Sequence, residues 1–282
     1  MKSIFNWIVK LIKSIFGIQQ TKYIGGFDPA FEPGTTVITK SHPDGTIEYV
    51  QAAEMEDDTP EDPILRLWVD KLLPEMISRG MEVNFDREEG NLVYVSGYSI
   101  DGTKNDNGVD RWNDVAIITR YKADSGDALD ADNWEILARA IASTSPGWIP
   151  TKSGEAAKRG GVAQLKPGQY HAHKIGFHKP SKYGTRHPAL VQVLPVTITR
   201  DFNADGSPVG DKEYTGVFGI NCHSTMPGYD KNTVGQWSEG CLVVRSFKIW
   251  LAFIAILKQF KRYKANNDAI FAVTVLNGAA IK

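Results

Sequence analysis

Apolar residues follow two rhythms along this chain, one repeating every three to four positions and the other every second position. The helical rhythm is clearest over residues 64–81, where Leu65, Trp68, Val69, Leu72, Leu73 and Ile77 form one stripe. Asp62 and Pro63 stand ahead of it as N-cap and first helical residue. Pro74 is expected to kink or split that helix, because its ring crowds the carbonyl four residues back. A second amphipathic helix is predicted over 246–263, with Phe247, Trp250, Leu251, Ile254 and Leu257 on its buried side. Strand-like runs fill much of the remainder. Residues 82–85 and 91–98 are expected to pair as a hairpin across a Gly-containing turn at 86–90, followed by strands at 115–121, 170–175, 189–200, 217–223, 242–244 and 270–276. Residues 134–142 fit a short helix or a strand. The expected fold class is mainly β, α+β overall.

The chain ends unlike its middle. Residues 1–20 form an amphipathic pattern, with Phe5, Ile8, Ile12, Ile15 and Phe16 on one face and Lys2, Lys10 and Lys13 nearby. The lysines interrupt any run long enough to span a bilayer, and no small-residue cleavage site follows. The segment reads as a basic helix lying on a membrane surface or as a helix packed on its own domain, with a signal anchor also open. Residues 21–63 are polar and turn-rich, a linker whose acidic run Glu54-Met-Glu-Asp-Asp58 reads as solvated rather than metal-binding. A small α+β region is expected over 64–114 and a larger domain over 115–282.

Composition narrows the function only by exclusion. With 282 residues and 42% apolar side chains the chain can bury a sizeable core. A formal net charge of −1 argues against nucleic acid, which calls for a basic surface. Two cysteines make no disulfide framework.

Those cysteines carry the candidate chemistry. His223 ends the run Gly219-Ile-Asn-Cys-His223, and fourteen residues separate it from Ser238, which opens Ser238-Glu-Gly-Cys241. A cysteine attacks as its thiolate, and an imidazole in reach can take its proton and return it to a leaving group. Gly240 allows a tight turn, so that N–H groups near Cys241, with the Ser238 hydroxyl, can face an oxyanion. The structural alternative is a small buried cysteine beside a core histidine. Cys222 points to the opposite strand face from His223 and reads as core, a Cys222–Cys241 disulfide being the competing pairing.

The pattern of His, fourteen to seventeen residues, Ser or Thr, any residue, Gly and Cys resembles the catalytic motif of the L,D-transpeptidase (YkuD-like) family, which acts on bacterial cell-wall peptides. Upstream, Ala142-Ser-Thr-Ser-Pro-Gly147 and Pro167-Gly-Gln-Tyr170 are similar to the stretch ahead of that family's catalytic strands. The resemblance spans about residues 115–278 and looks closest to a divergent bacterial and phage-associated branch with an Arg-Asp-x-Asn-x-Asp loop before the histidine strand. The chain departs from the family at Glu239, usually His or a small residue, and at Val243, usually Arg; Arg245 would take over carboxylate binding. What the resemblance implies is a curved β-sheet or sandwich with peripheral helices, and cysteine-dependent acyl transfer or peptidase action on peptidoglycan stem peptides. Cys241 would be nucleophile, His223 base, and Gly240 and Ser238 the oxyanion turn, with no cofactor required. It further implies a cell-envelope location, periplasmic or membrane-associated, by an open export route.

Other constellations compete for attention. Asp201, Asn203, Asp205 and Gly206 have the alternating oxygen ligands that open a calcium loop, with Asp211 or Glu213 needed to complete the shell in place of Lys212; an ordinary Asp/Asn/Gly hairpin loop is the alternative. Alternation puts His171 and His173 on one strand face, a spacing found in zinc sites, but no H-E-x-x-H sequence accompanies them. Together with His178 and His187 they read as bordering the cleft. Tyr170 reads as a partner for a peptide carbonyl or as core, and Trp237 as a groove wall or a plug beneath the turn. Gln192 and Asn221 are weaker candidates for orienting substrate or histidine. No Gly-x-Ser-x-Gly elbow, phosphate loop or dinucleotide signature occurs. Two other functions stay open: a non-catalytic wall-binding protein, and a metal-dependent wall hydrolase using the His171/His173 patch.

Overall fold

The sequence's first surprise lies inside the stretch expected to be linker. In the computed structural model, β1 (Val37–Ser41) and β2 (Ile47–Gln51) pair antiparallel, Val37 opposite Gln51 and Ser41 opposite Ile47. Both carry the β-branched residues that favour a pleated strand. Beyond these two strands the structure describes residues 62–282, except Ser125 and residues 208–210. The predicted N-terminal helix and the acidic run at 54–58 lie outside the described residues. The chain divides into two units, Met1–Pro60 and Glu61–Lys282.

The second unit is organised by strands with two apolar faces. β3 (Asn91–Ser96) is buried throughout. Its Leu92 and Tyr94 join one core cluster and its Val93 and Val95 another, as alternation on a strand covered from both sides requires. β3 pairs antiparallel with β4 (Asp114–Tyr121), and β4 antiparallel with β5 (Trp134–Ser143). The segment open to helix or strand is therefore strand. Two further sequence-adjacent strands, β6 (Val162–Leu165) and β7 (Gly168–Phe177), belong to different sheets. The run expected as one strand at 189–200 is also divided, into β8 (Pro188–Gln192) and β9 (Val196–Asp201), with Pro195, which has no N–H to donate, between them. β10 (Lys212–Gly216), β9 and β6 form a three-stranded sheet. β11 (Cys222–Ser224), β12 (Leu242–Val244) and β13 (Phe271–Asn277) complete an eight-stranded closed barrel in the order β11-β12-β5-β4-β3-β13-β7-β8. The mainly β class is as expected. The 64–114 stretch supplies β3 to this barrel rather than standing beside it.

Helices cover both clusters. The first begins at Pro63 behind the Asp62 cap, whose carboxylate accepts the Ile64 N–H. Ahead of Pro74 the winding changes: the helix widens into a π turn at Trp68–Leu72, closed by the Leu73 N–H to the Trp68 carbonyl five residues back, and continues as Leu73–Ser78. The wide turn accommodates a carbonyl that proline cannot bond. Helix Phe247–Leu257, capped by the Ser246 hydroxyl, buries Trp250, Phe253, Ile254 and Leu257; it stops short of 263, with Lys261–Ala265 a separate turn. The hairpin expected from 82–85 is missing. Side chains take its amides: Glu82 N–H donates to Gln169 Oε1 at 2.7 Å and Asn84 N–H to Asn91 Oδ1 at 2.7 Å.

Candidate active site

Two tight segments meet where the barrel closes. The first leads into β11. Expected as strand from residue 217, it becomes strand only at Cys222, because Gly219 turns the backbone to φ +78°. Side chains then do the work of a ladder. Gln192 Oε1 accepts the N–H groups of Phe218 and Ile220 at 3.0 and 2.8 Å, while its Nε2 donates to the carbonyls of Leu194 and Gly216. His173 Nε2–H donates to the Ile220 carbonyl at 2.8 Å. Asn221 Oδ1 accepts the Gln192 N–H at 2.9 Å.

The second segment is the cysteine turn. Gly240 has φ +125°, and a Cβ there would lie 2.6 Å from the Ala163 carbonyl oxygen. Only glycine fits. Fully buried Ser238 donates to the Cys241 carbonyl at 2.8 Å and accepts the Gly240 N–H at 3.2 Å. Its hydroxyl thus holds the turn itself. Parallel pairing of β11 with β12 places Cys222 opposite Leu242 and His223 opposite Val243. Cys241 Sγ accepts the Asn221 N–H at 3.5 Å and donates to the Gly219 carbonyl at 3.6 Å. Both cysteines are free thiols.

Histidines surround the sulfur. One ligand atom each of Cys241, His223 and His178 lies within 4.8 Å of the other two. The rings of His178 and His223 stack, with centroids 4.0 Å apart and planes 17° apart, and His187 meets His223 edge-on at 5.3 Å. Partners fix the tautomers. His223 Nδ1–H donates to the Ser224 carbonyl at 2.8 Å, leaving Nε2 as a bare lone pair. That nitrogen has no partner among the described residues. With Asn221 Oδ1 committed to Gln192, Asn221 Nδ2 donates to His178 Nδ1 at 3.2 Å, so the His178 proton sits on Nε2.

Burial sets the charges. It lowers His178 to about 4, helped by Lys179, His187 and Lys182, and it lowers His223 well below the ordinary imidazole range, helped by His178. Burial also pushes the Cys241 thiol up to about 11 against the opposing pull of the Asn221 N–H and Lys179. At neutral pH the pair is a neutral thiol and a neutral imidazole, not a preformed ion pair. No protein-family model, no curated protein and no solved structure matches this chain.

The other singled-out residues scatter. His171 and His173 do not share a face: the register slips by one between Phe271 and Ala272, a bulge at Ala172. His171 is exposed, with Nε2 3.5 Å from Glu82, and His173 is fully buried on the Ile220 carbonyl, so the structure does not bring them together as a metal pair. Tyr170 donates within the fold, its hydroxyl lying 2.7 Å from the Lys166 carbonyl and 3.2 Å from that of Thr197. Arg245 donates to the Asp230 carbonyl and to Asn232 Oδ1, both at 3.1 Å. Half-buried Trp237 packs edge-on against Tyr229. Exposed Glu239 pairs with Arg159 at 3.1 Å. In the acidic loop, Asp201 accepts the Asp205 and Gly206 N–H groups and Asn203 donates to Asp205. Both Asp211 carboxylate oxygens are covered, and burial, Asp201 and Asp205 raise its pKa against the pull of the Phe202 N–H. Sequence gave no signal for Tyr183, stacked on His178, or for Met226 at 3.3 Å from His187 Nδ1, since neither belongs to a motif.

Proposed function

We propose that the protein is a cysteine-dependent acyl-transfer enzyme acting on peptidoglycan stem peptides, an L,D-transpeptidase or L,D-peptidase on a YkuD-like scaffold. The observation that carries this is the bare Nε2 of His223 in a buried cluster with the Cys241 thiol, joined to the His-x14-Ser-x-Gly-Cys pattern. In the mechanism, His223 Nε2 takes the thiol proton as sulfur attacks the carbonyl carbon of the peptide bond, so charge is created only as the bond forms. The Ser224 carbonyl holds Nδ1–H and thereby keeps Nε2 facing its task. Ser238 and the Gly240 N–H are both spent within the turn, so the main-chain N–H of Cys241 is the donor that stabilises the oxyanion. His223 then returns the proton to the leaving amine, and the thioester is released to an amine or to water.

Calcium held by Asp201, Asn203, Asp205 and Asp211 is part of this proposal, supported by the covered Asp211 carboxylate, whose pKa the Asp201 and Asp205 charges raise. A second reading, a wall-binding protein without catalysis, draws support from the raised thiol pKa and from the thiol hydrogen resting on the Gly219 carbonyl rather than on His223.

Mass spectrometry of muropeptides after incubating sacculi with the parent and with Cys241→Ala separates the two. New cross-linked, exchanged or trimmed peptides from the parent alone are expected. Sacculus binding without product from either protein would transfer support to the binding reading.

A further inference from the structure

We propose that Cys241, His223 and His178 form a binding site for a thiophilic divalent cation of the zinc class. One thiolate and two imidazoles are a donor set that suits zinc and cobalt(II) and discriminates against calcium and magnesium, which prefer oxygen. All three side chains are buried, and their ligand atoms already lie within 4.8 Å of one another. Zinc bonds sulfur at about 2.3 Å and imidazole nitrogen at about 2.0–2.1 Å, so tetrahedral donors stand about 3.3–3.6 Å apart. The three side chains therefore close by about an ångström around an ion. Three protein donors leave a fourth position open to water or a small anion.

The histidine tautomers rank the ligands. His223 is preset: a ligating histidine ordinarily gives its other N–H to a carbonyl or carboxylate, and Nδ1–H of His223 already donates to the Ser224 carbonyl. Its Nε2 is buried without a donor among the described residues, an unmet demand that an ion satisfies. His178 is the weaker donor, because its Nδ1 lone pair is taken by Asn221 Nδ2, and ligation must displace that amide or move the ring proton. On binding, Cys241 loses its thiol proton to solvent and the sulfur and two nitrogens each give a lone pair to the ion; no electron is transferred. Lys179 and Glu239 are the charges acting on the sulfur from outside, with opposite signs.

A bound ion occupies the nucleophile and the base together, so it switches acyl transfer off. That consequence rests on the function proposed above, whereas binding itself does not.

Cobalt(II) titration of the full-length protein, reduced and freed of metal by chelator, tests the binding. A thiolate-to-cobalt charge-transfer band and the intense visible bands of a tetrahedral ion are expected, saturating at one equivalent and erased by zinc. Cys241→Ser should lose the charge-transfer band, His223→Ala should weaken binding by at least about tenfold, and His178→Ala by less. Zinc should also shield Cys241 of the parent from a maleimide, which needs no variant. Absence of the band in the parent, its persistence in Cys241→Ser, or unshielded labelling would each overturn the site. Muropeptide assays on the same samples address the switch. Product from metal-free protein that zinc stops and chelator restores is expected; product undiminished by saturating zinc overturns the switch. A parent that binds cobalt through Cys241 yet never makes product keeps the metal site and removes the acyl-transfer function.

Discussion

The barrel wall formed by β3, β4 and β13 and the segment 217–224 that leads into β11 are held in opposite ways. In the wall, ladders satisfy the backbone, and side chains such as Val93, Ile117 and Val275 are apolar and fully or almost fully buried. In the segment, Gln192, His173, Asn221 and Cys241 supply the bonds that a neighbouring strand would otherwise give. Loss of one methyl group from the wall removes a little burial. Loss of one polar side chain from the segment strands several buried backbone groups at once, each costing about 1–3 kcal/mol. The candidate site sits on the second kind of construction. Its geometry therefore hangs on a few side chains rather than on a broad core.

The comparison can be broken or sharpened in order of effect. Cys241→Ala should abolish muropeptide products, and His223→Gln should reduce them by about 10²- to 10⁴-fold, the usual worth of a general base. Equal products from parent and Cys241→Ala would detach the segment from any chemistry. Alkylation of Cys241 by iodoacetamide tests the seal on the sulfur: the rate should climb about tenfold per pH unit up to a midpoint about 11, as the thiolate forms. A plateau below pH 8 would mean a thiolate–imidazolium pair and refute the neutral dyad. Gln192→Leu should cost about 3 kcal/mol in urea unfolding and speed amide exchange at Phe218 and Ile220, against about 1 kcal/mol for Ile117→Val in the wall. Equal costs would erase the distinction. Smallest, millimolar calcium should raise the melting temperature by a few degrees, and Asp211→Asn should lose that gain; an identical rise in both proteins would remove calcium from the loop.

The wall was legible from sequence and the segment was not, for the same physical reason. Apolar periodicity reports burial against a core, so β3, β4, β13 and the Asp62 helix cap could be read from pattern and local chemistry. Periodicity does not report which backbone groups are bonded by distant side chains. Residues 217–221 look like strand until Gln192 and His173 are seen to hold them, and 82–85 looks like strand until Gln169 and Asn91 take its amides. The histidine spacing misled in its own way, since a single bulge at Ala172 reverses the face of everything beyond it. His178 and His187 were expected to border the cleft along with His171 and His173, and the rings of the first two lie against His223. Nothing local, however, announced that one would stack flat on His223 and the other meet it edge-on.

The barrel is closed by one ladder pair, Cys222 opposite Leu190, prolonged by the Asn221 side chain against the Gln192 amide. A hoop under load parts at its narrowest weld. For this molecule that weld is the strip beside the buried sulfur, so mechanical pulling or gentle heating should unzip the structure there first, leaving the long β4–β5 joint, paired from Asp114 to Tyr121, as the last to give way. Fatigue and the candidate chemistry then share one address.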